Sequence, residues 1–148
     1  MSDLYDRDFY AWANEQAGLL REGRLSGADV ANIAEEIETL GRNEKRELRS
    51  RLGVLLLHLL KWRHQPARRS RSWELSVANA RNDLAEHLAD SPSLRAMLPE
   101  AVASAYRRAR LHAEQQTGLP AKTFPAECPW TFDQAMTEEL PGAARDEP

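Results

Sequence analysis

Apolar residues recur at intervals of three and four over most of the chain. The longest such stripe begins at Val30 and ends at Trp62, and its spacing places the members on one face of an α-helix. Its members are Val30, Ile33, Ile37, Leu40, Leu48, Leu52, Leu55, Leu59 and Trp62. Residues 28–63 therefore form one long helix or two helices that meet near Gly41. Because the stripe keeps its phase across Gly41, the pattern favours a nearly continuous helix.

Shorter stripes predict further helices on both sides of the long one. They run from Tyr5 to Leu19, from Trp73 to Leu88 and from Val102 to Ala113. Residues 118–130 contain three prolines and no periodicity, which predicts a loop. Thr131 and Gln134 have the spacing of a capping box and predict a short last helix that ends at Leu140.

These elements predict an all-α fold. We expect a single-domain helical bundle of about five helices, with a proline-rich loop before a short C-terminal helix. A chain of 148 residues is the size of one domain. We place that domain at residues 1–141 and expect residues 142–148 to form a polar, disordered tail.

The segment from Val54 to Leu60 is apolar on almost every side. A helix with this pattern lies at the centre of a bundle or is covered by a partner, and the segment is too short to cross a membrane. We therefore expect Leu55 and Leu59 to be fully buried.

Several short motifs follow one another in a fixed order between Tyr5 and Leu140. They include Asn32-Ile33-Ala34-Glu35-Glu36-Ile37-Glu38, His58-Leu59-Leu60-Lys61-Trp62, Thr117-Gly118-Leu119-Pro120 and Cys128-Pro129-Trp130. In this order they resemble the bacterial family called domain of unknown function 29. The resemblance implies an all-helical, bacterial, cytoplasmic protein. It implies no activity, cofactor or catalytic residue.

Composition agrees with a soluble protein of a reducing compartment. Cys128 is the one cysteine, so the chain has no internal disulfide framework. The N-terminus is acidic and lacks the apolar region of a secretory signal, and no apolar run is long enough to span a membrane. We expect a cytoplasmic protein without a membrane partner.

The net charge of −3 conceals a strong segregation of charge. Residues 1–40 have a net charge of −6 and residues 42–73 have a net charge of +8, while the segment after Thr123 is acidic again. Five bases near Trp62 and Trp73 form a candidate anion or partner surface, here called the basic connector. These bases are Lys61, Arg63, Arg68, Arg69 and Arg71.

The basic connector admits two interpretations. Cations beside aromatic rings are typical of single-stranded nucleic-acid binding, where phosphates need positive charge and bases need stacking partners. Alternatively, both tryptophans belong to the core and the bases pair with acids of the first helix, around Asp3, Asp6 and Asp8. We favour the second interpretation.

Glu35, Glu38 and Arg42 form the densest polar cluster of the chain. Carboxylates at this spacing on a helix can bind a hard metal ion or act in acid–base chemistry. The same spacing is typical of an exposed ion pair, which we favour. The helical Glu-x-x-His and His-Glu-x-x-His metal motifs are absent, so we expect no metal and no cofactor.

Two pairs, Arg81 with His87 and Arg107 with His112, have the spacing found in metal-independent RNases built on small helical bundles. Histidine would serve there as general acid or base, with arginine steadying the phosphate. Cys128 would need a histidine base to act as a nucleophile, and a small residue packed under a loop is the favoured interpretation.

No catalytic constellation stands out in the sequence. The favoured hypothesis is a non-enzymatic helical protein-interaction or regulatory module, whose partner is another protein or a second copy of the chain. The alternative is a nucleic-acid-associated protein that uses the basic connector, residues 61–71. A metal-independent, RNase-like helical protein is a weaker alternative.

Overall fold

A computed structural model of the chain describes residues 4–142. Within them the regular structure consists of six α-helices and short 3-10 turns, without a strand, so the predicted all-α fold is confirmed. The helices are α1 (Leu4–Arg7), α2 (Phe9–Arg21), α3 (Val30–His64), α4 (Arg71–Asp90), α5 (Leu98–Thr117) and α6 (Phe132–Thr137). Over these residues, no helix combines the length and apolarity needed to cross a bilayer.

The chain divides into two compact units. The N-terminal unit ends at Glu44 and the C-terminal unit begins at Lys45. The single domain expected for residues 1–141 stays a prediction. Of the expected polar tail, residues 143–148 lie outside the described residues, and so does Asp3, the first of the acids proposed to pair with the basic connector.

The first predicted helix is interrupted at Asp8. The carboxylate of Asp8 accepts a hydrogen bond from the backbone N–H of Ala11 at 3.1 Å and caps the start of α2. A short acidic side chain that binds its own backbone in this way favours a helix start over a helix interior. The apolar periodicity of this segment therefore belongs to two helices, α1 and α2, where the sequence predicted one.

The N-terminal unit is held by polar contacts of α2 with the start of α3. The indole N–H of Trp12 donates to the Asp29 carboxylate at 3.0 Å. The side-chain oxygen of Gln16 accepts the backbone N–H of Asp29 at 2.7 Å. Trp12 and Gln16 are buried, whereas Phe9 on the same predicted stripe is half exposed. Asp29 also accepts from Asn32, so the first turn of α3 is fixed by side chains.

The long stripe forms one helix. α3 continues from Val30 to His64 without a break at Gly41 or Gly53. Each interior glycine costs about 1 kcal/mol relative to alanine. The helix nevertheless persists, because its C-terminal half is buried by tertiary packing, which outweighs local propensity.

The core of the C-terminal unit surrounds the second half of α3. Leu55 has no exposed surface and Leu59 is 2% exposed, as predicted. The core also includes one face of α4, one face of α5 and the loop before α6. Its largest fully buried side chains are Trp62, Tyr106, Phe124, Leu48, Leu52, Leu55, Leu56, Leu59, Leu60, Leu84, Leu88 and Val77.

The loop between α5 and α6 packs on this core. Gly118 ends α5 in the left-handed conformation with φ of 73°, which glycine adopts without steric cost. Phe124 and Trp130 of the loop are buried. Thr131 and Gln134 form the predicted capping box, but α6 ends at Thr137 and not at Leu140.

We expect Leu55→Ala to lower the free energy of unfolding by about 2–5 kcal/mol, because the change leaves a cavity in a packed core. Leu111 is 60% exposed. Leu111→Ala removes the same atoms and should change the free energy by less than about 0.5 kcal/mol. Urea denaturation of both variants checks this, and equal losses would contradict the placement of the core.

Candidate functional site

The basic connector is engaged in contacts of the C-terminal unit. The Lys61 ammonium donates to the side chain of Gln116 at 3.1 Å and lies 4.9 Å from the centre of the Trp73 ring. The Arg63 guanidinium pairs with Glu138 at 3.1 Å and lies 4.6 Å from the Trp130 ring centre.

Arg69 of the basic connector contacts both the backbone and the ring of Trp62. Its Nε donates to the backbone carbonyl of Trp62 at 2.8 Å, and its guanidinium lies 5.4 Å from the Trp62 ring centre. The indole N–H of Trp62 in turn donates to the carbonyl of Pro141 at 2.8 Å. Arg71 pairs with Glu74 at 3.2 Å. The Arg68 side chain is exposed and makes no hydrogen bond or ion pair with another described residue.

These contacts join the end of α3 to the segment after α6. Trp62 and Trp130 are almost fully buried, so their faces are not available for stacking with bases. The bases cover tryptophans as cations on ring faces. Trp73 is only partly buried, so the expectation that both tryptophans belong to the core holds for Trp62 alone. The acids that pair with these bases are Glu138 and Glu74, and not those expected from the first helix. The geometry therefore favours a structural role for the basic connector and does not support nucleic-acid binding there.

The cluster of Glu35, Glu38 and Arg42 is an exposed set of ion pairs. Arg42 lies 3.1 Å from the Glu35 carboxylate and 3.9 Å from that of Glu38, and all three side chains are more than half exposed. Pairs of this kind contribute little to stability in water. Next to them, Glu36 accepts a hydrogen bond from the Tyr5 hydroxyl, which raises the pKa of Tyr5 to about 12.

The two arginine–histidine pairs have different surroundings. Arg81 donates to the carbonyls of Ala135 at 3.0 Å and Glu138 at 2.7 Å, and its burial lowers the pKa of the guanidinium. His87 is buried, with 6% of its surface exposed. Arg81 thus satisfies the C-terminal carbonyls of α6, while Arg107 and His112 are exposed on α5.

Cys128 belongs to the loop before α6 and is partly buried against the core of the C-terminal unit. Its thiol donates to the carbonyl of Trp130 at 3.2 Å, and burial raises the pKa of the thiol. A raised pKa keeps the thiol protonated at neutral pH, which disfavours nucleophilic chemistry. The nearby Tyr106 hydroxyl is committed to the carbonyl of Pro125 at 2.5 Å.

A groove of about 550 Å³ lies between α3 and α5 in the C-terminal unit. Arg46 and Arg49 line it from α3, and Arg108 and His112 line it from α5. Helical periodicity explains this arrangement, because residues three or four apart share one face of each helix. We call this feature the basic groove.

The basic groove continues into a smaller cleft of about 280 Å³. Arg49 and Ser104 line both, so the two form one surface. The smaller cleft adds the cations Lys45 and Arg107 and the acid Glu100. Five lysine and arginine side chains therefore line this surface, against one carboxylate.

The cations of this surface differ from Lys61, Arg63, Arg69 and Arg71 of the basic connector because their side chains lack partners. No hydrogen bond, ion pair or ring contact within the range 4–142 involves the side chains of Lys45, Arg46, Arg49, Arg107 and Arg108. These five charges are thus unpaired within that range. A surface of this kind attracts anions and raises their local concentration.

The sequence analysis singled out some of the cations of this surface. Arg46 and Arg49 belong to the basic stretch 42–73, and Arg107 and His112 were considered as an RNase-like pair. The residue spacing on each helix gives the two polar faces, but it does not show that these faces meet across one groove. The stronger sequence pattern, in which bases lie beside tryptophans, is that of the basic connector at the other end of α3.

The site is thus a cation-lined groove between two long helices of an all-α protein. The chain belongs to the family described as domain of unknown function DUF29, whose model matches residues 4–140. This match confirms the resemblance seen in the sequence. Neither the curated proteins nor the solved structures contain a match to the chain.

Arg69→Ala should lower the free energy of unfolding by about 1–3 kcal/mol, because it leaves the Trp62 carbonyl without its donor. Arg68→Ala is the matched control, since it removes the same charge from an exposed neighbour and should change stability by less than about 0.5 kcal/mol. Chemical denaturation measures both. An equal effect of the two substitutions would contradict the structural role assigned to the basic connector.

Proposed function

We propose that the protein is a non-enzymatic binding module that holds an anionic partner in the basic groove. The observation that carries the proposal is the set of five unpaired cations on one continuous surface of α3 and α5. The whole chain has a net charge of −3, so this surface is a local exception to its overall charge. An anionic partner would supply the missing counter-charges.

The contacts of other reactive groups support a role in binding rather than in chemistry. Arg81 is committed to backbone carbonyls, and Cys128 is a protonated thiol in the loop before α6. His112 lies among arginines in the groove of about 550 Å³, whose lining contains no carboxylate and no second histidine to share acid–base chemistry with it. The RNase-like alternative therefore has less support than binding.

Arg49→Glu should weaken binding of a fluorescein-labelled poly-L-glutamate of about 12 residues, a polyanion that carries carboxylates and no apolar side chain. Arg49 lines both clefts, so reversal of its charge should reduce affinity about 10-fold or more. Wild-type affinity should also fall as salt rises, because exposed charges are screened. Fluorescence anisotropy measures both effects.

Arg68→Glu is the matched control, because it makes the same charge change at an exposed arginine outside the groove. It should alter the affinity by less than about 3-fold. Circular dichroism verifies that both variants keep the helical fold. If both variants weaken binding equally, binding follows net charge and the groove is not the site; if wild-type protein does not bind the probe, the proposal is wrong.

A further inference from the structure

We infer that the partner held in the basic groove is an acidic amphipathic segment of another protein, which places an apolar side chain on the groove floor and carboxylates against its rim. This inference rests on the proposed function and specifies its partner. Two features of the groove carry it: the chemistry of the floor and the absence of aromatic side chains from the lining.

The floor of the basic groove is apolar and has an open notch. Gly53 of α3 has no side chain there, and Ala105 and Ala109 of α5 present only methyl groups, next to Val54 and Leu57. A Cβ placed on Gly53 would meet no atom within 4 Å, so there is free space above this glycine. Val54 is 47% exposed, and a partner side chain would remove this apolar surface from water.

The rim of the basic groove suits carboxylates. Arg46 and Arg49 on one side and Arg108 on the other carry planar guanidinium groups, which bind carboxylates with two parallel hydrogen bonds. From Arg46 to Leu57 the groove follows about 17 Å of α3, at 1.5 Å per residue. This length accommodates about three turns of a bound helix, enough for one or two apolar anchors with acids on both sides.

A polynucleotide fits the basic groove less well. Single-stranded nucleic acid binds on aromatic platforms, and no Phe, Tyr or Trp lines this groove. The phosphates would engage the rim but leave the apolar floor uncovered. An acidic amphipathic peptide can pair its carboxylates with the cations of the rim and cover the apolar floor with its apolar side chains.

The test compares three labelled probes on the full-length protein by fluorescence anisotropy. The first is an acidic helical peptide with leucines spaced three and four apart, the second has glutamine in place of each leucine, and the third is a single-stranded oligonucleotide of equal charge. Burial of leucine on the floor should make the first peptide bind about 10-fold more tightly than the second. The first peptide should also bind more tightly than the oligonucleotide.

Gly53→Met supplies an independent test, because it fills the notch and leaves every rim cation in place. It should remove the preference for the leucine peptide and change polyglutamate binding by less than about 3-fold. Gly41→Met is the matched control, since Gly41 is the other glycine inside α3 and a Cβ there also meets nothing within 4 Å. Thermal unfolding verifies that both variants fold.

The outcomes separate the inference from the proposed function. Equal affinity for the two peptides, or tighter binding of the oligonucleotide, would overturn the inference and leave anion binding by the groove intact. Concentration-dependent self-association that Arg49→Glu abolishes would identify a second copy as the occupant and would also overturn it. If none of the anionic probes, including polyglutamate, binds wild-type protein, the proposed function fails with the inference.

Discussion

Burial of the second half of α3 on more than one side is the constraint on which the C-terminal unit depends. Leu52, Leu57 and Trp62 are at most 8% exposed, although they point in different directions around the helix. A helix that is apolar on so many sides requires cover from several elements. α4, α5 and the loop before α6 supply that cover, and the polar functions of the unit are confined to what remains of the surface of α3.

The same constraint explains why the basic side chains of α3 have two different kinds of surroundings. At its C-terminal end, Arg63 and the nearby Arg69 lie over buried tryptophans and hold the segment that follows α6. Earlier in the helix, Arg46 and Arg49 lie where the small residues of α5 leave a groove open. Positive charge is therefore structural at one end and unpaired at the other.

The sequence predicted the features that depend on interactions between residues close together in the chain. Apolar periodicity identified the long helices, and the spacing of Thr131 and Gln134 identified the cap of the last helix. It did not predict the break at Asp8, because side-chain capping there competes with an unbroken apolar pattern.

The candidate site was harder to predict from the sequence than the fold. Residue spacing predicts each half of the basic groove as a polar face of one helix. It does not predict that α3 packs against α5, because that is a tertiary contact. The basic connector had the stronger sequence signal, since bases alternate with tryptophans there. That signal reflects cation–ring packing against the core.

The most direct test of the central claim maps the binding surface on the protein itself. Backbone amide chemical shifts, recorded by NMR during titration with the leucine-containing acidic peptide, locate the contact residue by residue. The account predicts the largest changes at Arg49, Gly53, Ser104 and Arg108, which face the groove from both helices. Changes concentrated in residues 61–71, with the groove unaffected, would contradict it.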